Sequence, residues 1–160
     1  MSRYPWPERV HPEMIRLFEE AHLEAYNSGV MIVPYFGYRD EAQQTALYAQ
    51  GREPLEAVNL LRQAAGMGPI TASQSERIVT RARYGESAHT VDPACAVDWY
   101  VKNQLTGEAV WWEGVDLDDD GQADYHEAGL IGERLGLVWG GRFPFRDWGH
   151  FELSNWRSRR

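Results

Sequence analysis

One carboxylate limits the folds open to this chain. Ala94-Cys-Ala-Val-Asp-Trp-Tyr-Val101 reads as a strand, and Asp98 stands inside it between Val97 and Trp99. An ionised carboxylate in such a strand is costly to bury unless a positive partner meets it. Two partners fit: a nearby arginine, as a salt bridge, or a metal ion. Imidazoles that could share an ion stand at His89 and, far downstream, at His150 in Asp147-Trp-Gly-His150. Two imidazoles and one carboxylate leave the fourth tetrahedral position of zinc open for water, the arrangement of a catalytic site. Zinc lowers the pKa of that water to about 7, and a carboxylate three residues before a ligand histidine, here Asp147, can take its proton. Local sequence alone leaves a core histidine with ordinary carboxylates as an equal alternative.

The rest of the chain has to assemble these residues. Its 160 residues, 43% of them hydrophobic and seven of them Trp, suit one packed domain over 1–160, with no internal repeat. Residues 1–10 are Pro-rich and read as an extended arm. Met14, Ile15, Phe18, Ala21, Ala25 and Tyr26 recur at three and four residues, which predicts a helix over 12–27 that stops at Gly29. His11 and His22 there read as surface or edge histidines. Val30-Met-Ile-Val33 predicts a buried strand that leads to Arg39. Asp40 and Gln43 form a capping-box pattern for a second helix, which runs to about Gln50. Arg39 therefore sits at a rigid strand-to-helix junction, with a surface salt bridge as the plainer alternative.

Residues 52–77 read as an insertion containing a helix over 55–65, either a flap beside the site or a decorated loop. Ile78-Val-Thr-Arg-Ala82 reads as a return to the core, and Trp111-Trp112 as a cover for the sheet. A helix is expected from about Tyr125 to Leu135. Val138-Trp139 and His150 to Leu153 look like closing strands around a Gly140-Gly141 turn. The segment 154–160, with Arg157, Arg159 and Arg160, reads as a solvated basic tail.

The net charge of -8 argues against nucleic-acid binding. Six of the acids cluster in Asp116-Leu-Asp118-Asp-Asp120-Gly121-Gln-Ala-Asp124-Tyr-His-Glu127. This stretch fits a twelve-residue calcium loop: Asp116, Asp118, Asp120 and Asp124 as ligands, Gly121 at the sharp turn, the Gln122 backbone carbonyl, and Glu127 last. The alternative is an acidic solvated turn. The side leading into it looks like a strand or turn, so it would be an isolated loop. An ion there would be structural, by offsetting the repulsion of six acids, or regulatory, by fixing the helix that follows. His126 reads as exposed. Cys95 is the only cysteine, so no intramolecular disulfide is possible, which fits synthesis in a reducing compartment. No apolar run approaches the roughly 18 residues of a membrane span. Met1-Ser-Arg-Tyr-Pro-Trp-Pro lacks the apolar core of a signal peptide.

Gly37-Tyr-Arg39-Asp-Glu-Ala-Gln-Gln44-Thr-Ala-Leu-Tyr-Ala-Gln-Gly-Arg52 resembles the first block of the peptidase M15 family. Val79-Thr-Arg-Ala82, Gly85, Ser87-x-His89 and Ala96-x-Asp98 resemble its second block. Leu135-Gly-Leu-Val-Trp-Gly-Gly-Arg-Phe143 and Asp147-x-x-His150-Phe-Glu resemble its last. The nearest members are phage L-alanyl-D-glutamate endopeptidases and VanY-like D-Ala-D-Ala carboxypeptidases. The resemblance implies an α+β fold, a small antiparallel sheet with flanking helices, of the hedgehog/D-Ala-D-Ala-peptidase type. It implies zinc held by His89, Asp98 and His150, with Asp147 as general base and Arg39 stabilising the substrate oxyanion. Gln44 and Ser87 match positions near the substrate. One departure stands out: two extra residues and no glycine separate His89 from Asp98. Asp92 thereby becomes a rival ligand, while a bulged turn at Asp92-Pro93 would preserve Asp98.

The implied activity is that of an endolysin-like zinc peptidase cleaving the L-Ala-D-Glu bond of the peptidoglycan stem peptide, with zinc and calcium as its metals. D-Ala-D-Ala carboxypeptidase action and a non-catalytic, metal-dependent wall-binding domain are the alternatives. A monomer is expected, without membrane insertion, reaching the wall through a membrane pore as in phage lysis.

Overall fold

The computed structural model describes residues 4–159 of the chain. Its first helix, α1 (Pro12–Ser28), buries Met14, Leu17, Phe18, Ala21 and Ala25 along one face, as the apolar spacing requires. Gly29 ends it in the left-handed conformation, with φ at 111°. His11 caps the other end by accepting the Glu13 N–H. His22 corrects the sequence expectation. It lies four residues after Phe18 on the buried face, with Nδ1 2.7 Å from the Ile32 carbonyl oxygen, so it is a core residue.

Strand β1 (Ile32–Phe36) starts later than the Val30 to Val33 run suggested. Helix α2 (Glu41–Ala49) opens on the expected capping box, with both Asp40–Gln43 hydrogen bonds made. Helix α3 (Leu55–Ala64) lies against α2, and the single turn α4 (Ala72–Ser75) follows it. Residues 76–87 then run without regular structure. Ile78 and Val79 are 38% and 47% exposed, so this stretch is not the return to the core that its apolar residues suggested. Side chains of α2 and its C-terminal flank hold its backbone instead of a strand partner. The Gln44 amide donates to the Ala82 carbonyl at 2.6 Å, and the Arg52 guanidinium to that of Thr80 at 3.1 Å.

The sheet is completed by β2 (Ala96–Lys102) and β3 (Ala109–Val110) and, after helix α5 (Asp124–Arg134), by β4 (Leu137–Trp139) and β5 (His150–Leu153). All pairings are antiparallel in the order β1-β2-β5-β4, with β3 also on β2. Period-two alternation divides the sheet. Trp99 of β2 and Phe151 of β5 face α1 and α5, with the Trp99 ring 5.0 Å from Phe151 and 5.2 Å from Tyr125. Burying each such side chain is worth about 1.5–3 kcal/mol. Asp98, His150 and Glu152 therefore take the opposite face, and the register sets Asp98 directly across from His150.

Two further expectations hold only in part. Trp111 packs on the sheet, against the rings of Tyr35 of β1 and Tyr100 of β2, yet it and Trp112 remain 60% and 65% exposed, because β3 is two residues long and the chain leaves the sheet there. In the basic tail, Trp156 is buried and Arg159 bonds His11 at 2.9 Å and Asn155 at 3.0 Å, and also pairs with Glu13. Arg157 stays exposed, and Arg160 lies outside the described residues. The N-terminal arm is tied as well: Tyr4 packs edge-on to Phe18, and Val10 bridges to Ala94. Residues 1–3 lie outside the described residues.

Gly149 sets the approach of β5 to β2. Its carbonyl accepts the Trp99 N–H at 2.7 Å, and a Cβ on Gly149 would lie 2.2 Å from the Trp99 carbonyl oxygen. Gly149→Ala is expected to lower stability by about 1–3 kcal/mol, the range for forced overpacking, read as a lower urea midpoint. An unchanged midpoint would mean that the strands have room to part.

Candidate metal centre

Local structure delivers three ligand side chains to one point. The Ser87 hydroxyl accepts the His89 N–H at 3.3 Å and opens a 3-10 turn over Ala88–Thr90. The Arg39 N–H donates to the His89 carbonyl at 2.9 Å, docking that turn beside the end of β1. Asp98 comes from the middle of β2 and His150 from the first residue of β5. All three are buried. His89 Nε2 and His150 Nδ1 each lie 3.0 Å from Asp98 Oδ1 and 3.3 Å from one another.

This triangle fits zinc. Ligands about 2.0–2.1 Å from a tetrahedral zinc sit roughly 3.3 Å apart, so the three atoms already have the size of one face of that tetrahedron. The outer ring nitrogens agree. His89 Nδ1 is 2.6 Å from the Gly37 carbonyl, and His150 Nε2 is 3.0 Å from Glu152 Oε2. Both acceptors take an N–H, which turns the lone pairs of Nε2 in His89 and Nδ1 in His150 inward. Two lone pairs and a carboxylate oxygen in contact need a cation between them.

The charges of the three groups are strongly linked. Burial opposes the charged form of His150, but hydrogen bonds to Asp98 and Glu152 outweigh it and push the group up to about 10. Burial holds His89 below the usual imidazole range. Burial alone would raise Asp98, yet the two histidines and Arg39 hold it well below the usual carboxylate range. The guanidinium of Arg39 donates to Asp98 Oδ2 at 2.9 Å. Both sequence readings of Asp98 therefore hold together: an arginine meets one oxygen and the imidazoles surround the other.

A groove of about 860 Å³ opens above the cluster. Arg39, Ser87, His89, Asp147 and His150 all line it. The surrounding protein and the nearby Asp98 charge raise the Asp147 carboxyl above the usual range. Gly140 lets the Asp147 loop close in: its carbonyl accepts the Asp147 N–H at 3.0 Å, and a Cβ on Gly140 would lie 2.4 Å from the Asp147 oxygen. Gln44 is fully buried and does not line the groove itself; its amide holds the carbonyl of Ala82, which does. Asp92 is exposed and paired with Arg9, away from the cluster. The extra residues between His89 and Asp98 form a loop whose Ala94 exchanges backbone hydrogen bonds with Arg9 and His11. Glu152 was not singled out from sequence. The available signal was its spacing: two residues after His150 on a strand, it shares that residue's face.

The acidic segment also folds into clusters. Ligand oxygens of Asp116, Asp118 and Asp124, and of Asp118, Asp120 and Glu127, lie within 4.8 Å of one another. Asp124 is fully buried, with Oδ1 accepting the Leu117 N–H at 3.2 Å and Oδ2 lacking a partner. Burial, and then the charges of Asp118 and Asp116, push it up to about 6 against the Leu117 hydrogen bond. Gly121 turns the loop at φ 87°, and the Gln122 N–H is held by Asp120 at 2.7 Å. His126 is exposed beside Trp139.

Residues 80–153 match the M15 peptidase family described as D-alanyl-D-alanine carboxypeptidase. Peptidoglycan L-alanyl-D-glutamate endopeptidase CwlK of Bacillus subtilis strain 168 is 29% identical over 150 residues, 93% of this chain and 76% of the relative. The fold is shared with the crystal structure of the Serratia marcescens L-Ala D-Glu endopeptidase ChiX, at 17% identity and a TM-score of 0.54 over 95% of this chain and 86% of that one. It is shared also with a vancomycin-resistance D,D-pentapeptidase VanY in complex with Zn(II), at 16% identity and a TM-score of 0.51 over 94% and 80% of the two chains.

Glu152 bridges His150 Nε2 and the Trp156 indole N–H, each at 3.0 Å, so it fixes the ring that presents Nδ1. Glu152→Ala is expected to weaken zinc binding about 10–100-fold, the range for an outer partner of a ligand histidine, in a chelator competition titration. Unaltered affinity would show that β5 alone orients the imidazole.

Proposed function

We propose that the chain is a metal-dependent peptidase of the M15 family and that it hydrolyses the L-Ala-D-Glu bond of the peptidoglycan stem peptide. The observation that carries this reading is the cluster of His89, Asp98 and His150, whose two imidazoles line a groove that also holds Asp147. The relative matching over 93% of the chain bears an endopeptidase name, which favours this bond over the D-Ala-D-Ala bond.

In this reading His89, Asp98 and His150 hold zinc, which when bound supplies a Lewis acid and makes water more acidic. Asp147 removes a proton from the water as it attacks the peptide carbonyl. The same carboxyl then returns the proton to the departing amine, and its raised pKa suits that exchange. Arg39 keeps Asp98 oriented through Oδ2 and turns its remaining donors toward the carbonyl oxygen as it gains charge. The groove walls hold the peptide over these groups and limit water.

We also assign calcium to the acidic loop, with Asp116, Asp118, Asp120, Asp124, Glu127 and the Gln122 carbonyl as ligands. The partnerless Asp124 Oδ2, buried among other acids, supports it. An ion there would fasten the start of α5, which packs on β4.

Zinc-loaded protein incubated with purified muropeptides is expected to release fragments cut between L-Ala and D-Glu, read by mass spectrometry. Loss of a single D-Ala would replace this reading with the carboxypeptidase one. Asp147→Ala is expected to lower kcat about 10²–10⁴-fold with zinc content unchanged. Full wall lysis by that variant would remove Asp147 from the role of general base.

The calcium assignment has its own pH signature. Asp124 is pushed up to about 6 in the folded protein, so the folded state holds a proton that the unfolded state releases earlier. Stability of the calcium-free protein should therefore fall as pH rises from the ordinary carboxylate range through about 6. Calcium should remove that loss and raise Tm at neutral pH, measured in zinc-supplemented buffer with and without calcium. Identical melting curves would exclude the site.

A further inference from the structure

The groove is rich in cations although the chain carries a net charge of -8. Arg39, Arg81, Arg146 and Arg157 line it, against the acids Glu86, Asp147 and Glu152. Several of these charges are already engaged. Arg39 is held by Asp98, Glu152 by His150 and Trp156, and Glu86 by the Arg83 backbone N–H. Arg81, Arg146 and Arg157 are different. Among the described residues none of the three is in an ion pair or a hydrogen bond, in a chain with 24 acids. Each lies over an aromatic ring instead: Arg81 over Phe145 at 4.6 Å, Arg146 over Trp148 at 5.4 Å, and Arg157 over Trp156 at 4.4 Å.

Stacking steadies a guanidinium by its face and leaves its edge of N–H donors free. That edge matches a carboxylate, which it can grip through two parallel hydrogen bonds. The three arginines also come from different parts of the rim. Arg81 belongs to the irregular segment after α4, Arg146 to the loop before β5, and Arg157 to the turn after β5. Arg81 joins two of these segments, because Phe145 beneath it belongs to the loop before β5.

We propose that Arg81, Arg146 and Arg157 are carboxylate-binding residues that make this groove select peptides with free carboxylates beside the scissile amide, an inference that rests on the peptidase reading above. The substrate chemistry supplies the anion. A glutamate joined through its amine and one carboxyl group keeps its second carboxyl free, next to the bond that breaks. Stacked arginines on the rim would hold that group and draw acidic peptides to a protein that otherwise repels them.

The test uses zinc-loaded Asp147→Ala protein, which binds without turning substrate over. The probes are L-Ala-D-Glu-L-Lys with its carboxylates free and the same peptide with every carboxylate converted to a carboxamide. Calorimetry is expected to show the acid bound at least tenfold tighter than the amide, with the difference shrinking as salt is added. Arg81→Gln, Arg146→Gln and Arg157→Gln combined in that protein should bring the two affinities within twofold of each other, with zinc content unchanged. Equal binding of acid and amide before these changes, or an undiminished preference after them, would overturn the proposal. Cleavage of the acid peptide by the unmodified protein is scored separately. Its failure, with the binding preference intact, would remove the bond assignment and leave the carboxylate selectivity standing.

Discussion

Asp98 is a charge buried in the sheet, and much of the molecule exists to meet that charge. One carboxylate oxygen receives the Arg39 guanidinium, and the other faces two imidazoles. Without these partners the sheet would hold an uncompensated ion, which is far costlier than losing one ordinary hydrogen bond. The strand order follows from the same demand. β5 must lie beside β2, in the register that sets His150 across from Asp98, before the charge is met.

The two faces of the sheet divide the work. Trp99, Tyr125, Phe151 and Phe18 fill the helical side, so the strands cannot slide without breaking stacked rings. That rigidity lets the other side hold ligand atoms 3.0–3.3 Å apart. Loops then add what the sheet lacks. The irregular segment after α4 and the loop before β5 raise the walls of the groove, and Gln44 and Arg52 hold the first of them from behind. The acidic loop sits at the other end of α5, where an ion would secure the helix covering the core.

Much of this was legible in the residues, for reasons that can be named. Helix α1 carries an apolar spacing of three and four residues, α1 and α5 stop at Gly29 and Gly136, and β2, β4 and β5 are short runs built on apolar residues, so physics acts there over short distances. The cluster of His89, Asp98 and His150 was readable because ligand chemistry narrows the choice of residue types, and the family resemblance chose among them. What failed depended on tertiary context. His22 looked like an edge residue, since an imidazole gives no sign of whether a carbonyl such as that of Ile32 waits inside. Ile78 and Val79 looked like core, but the segment is held through its backbone by side chains distant in sequence. Arg159 looked solvated until the N-terminal arm brought His11 and Glu13 to it. Glu152 was overlooked because its importance lies in the two ring nitrogens it faces, those of His150 and Trp156.

The central claim is that one divalent ion is shared by His89, Asp98 and His150. Anomalous diffraction at the zinc edge, from crystals grown with zinc, tests it most directly. The account predicts one peak in contact with Nε2 of His89, Nδ1 of His150 and Oδ1 of Asp98, about 2 Å from each. Ring nitrogens turned to separate places with no density between them, or a peak confined to the acidic loop, would contradict it.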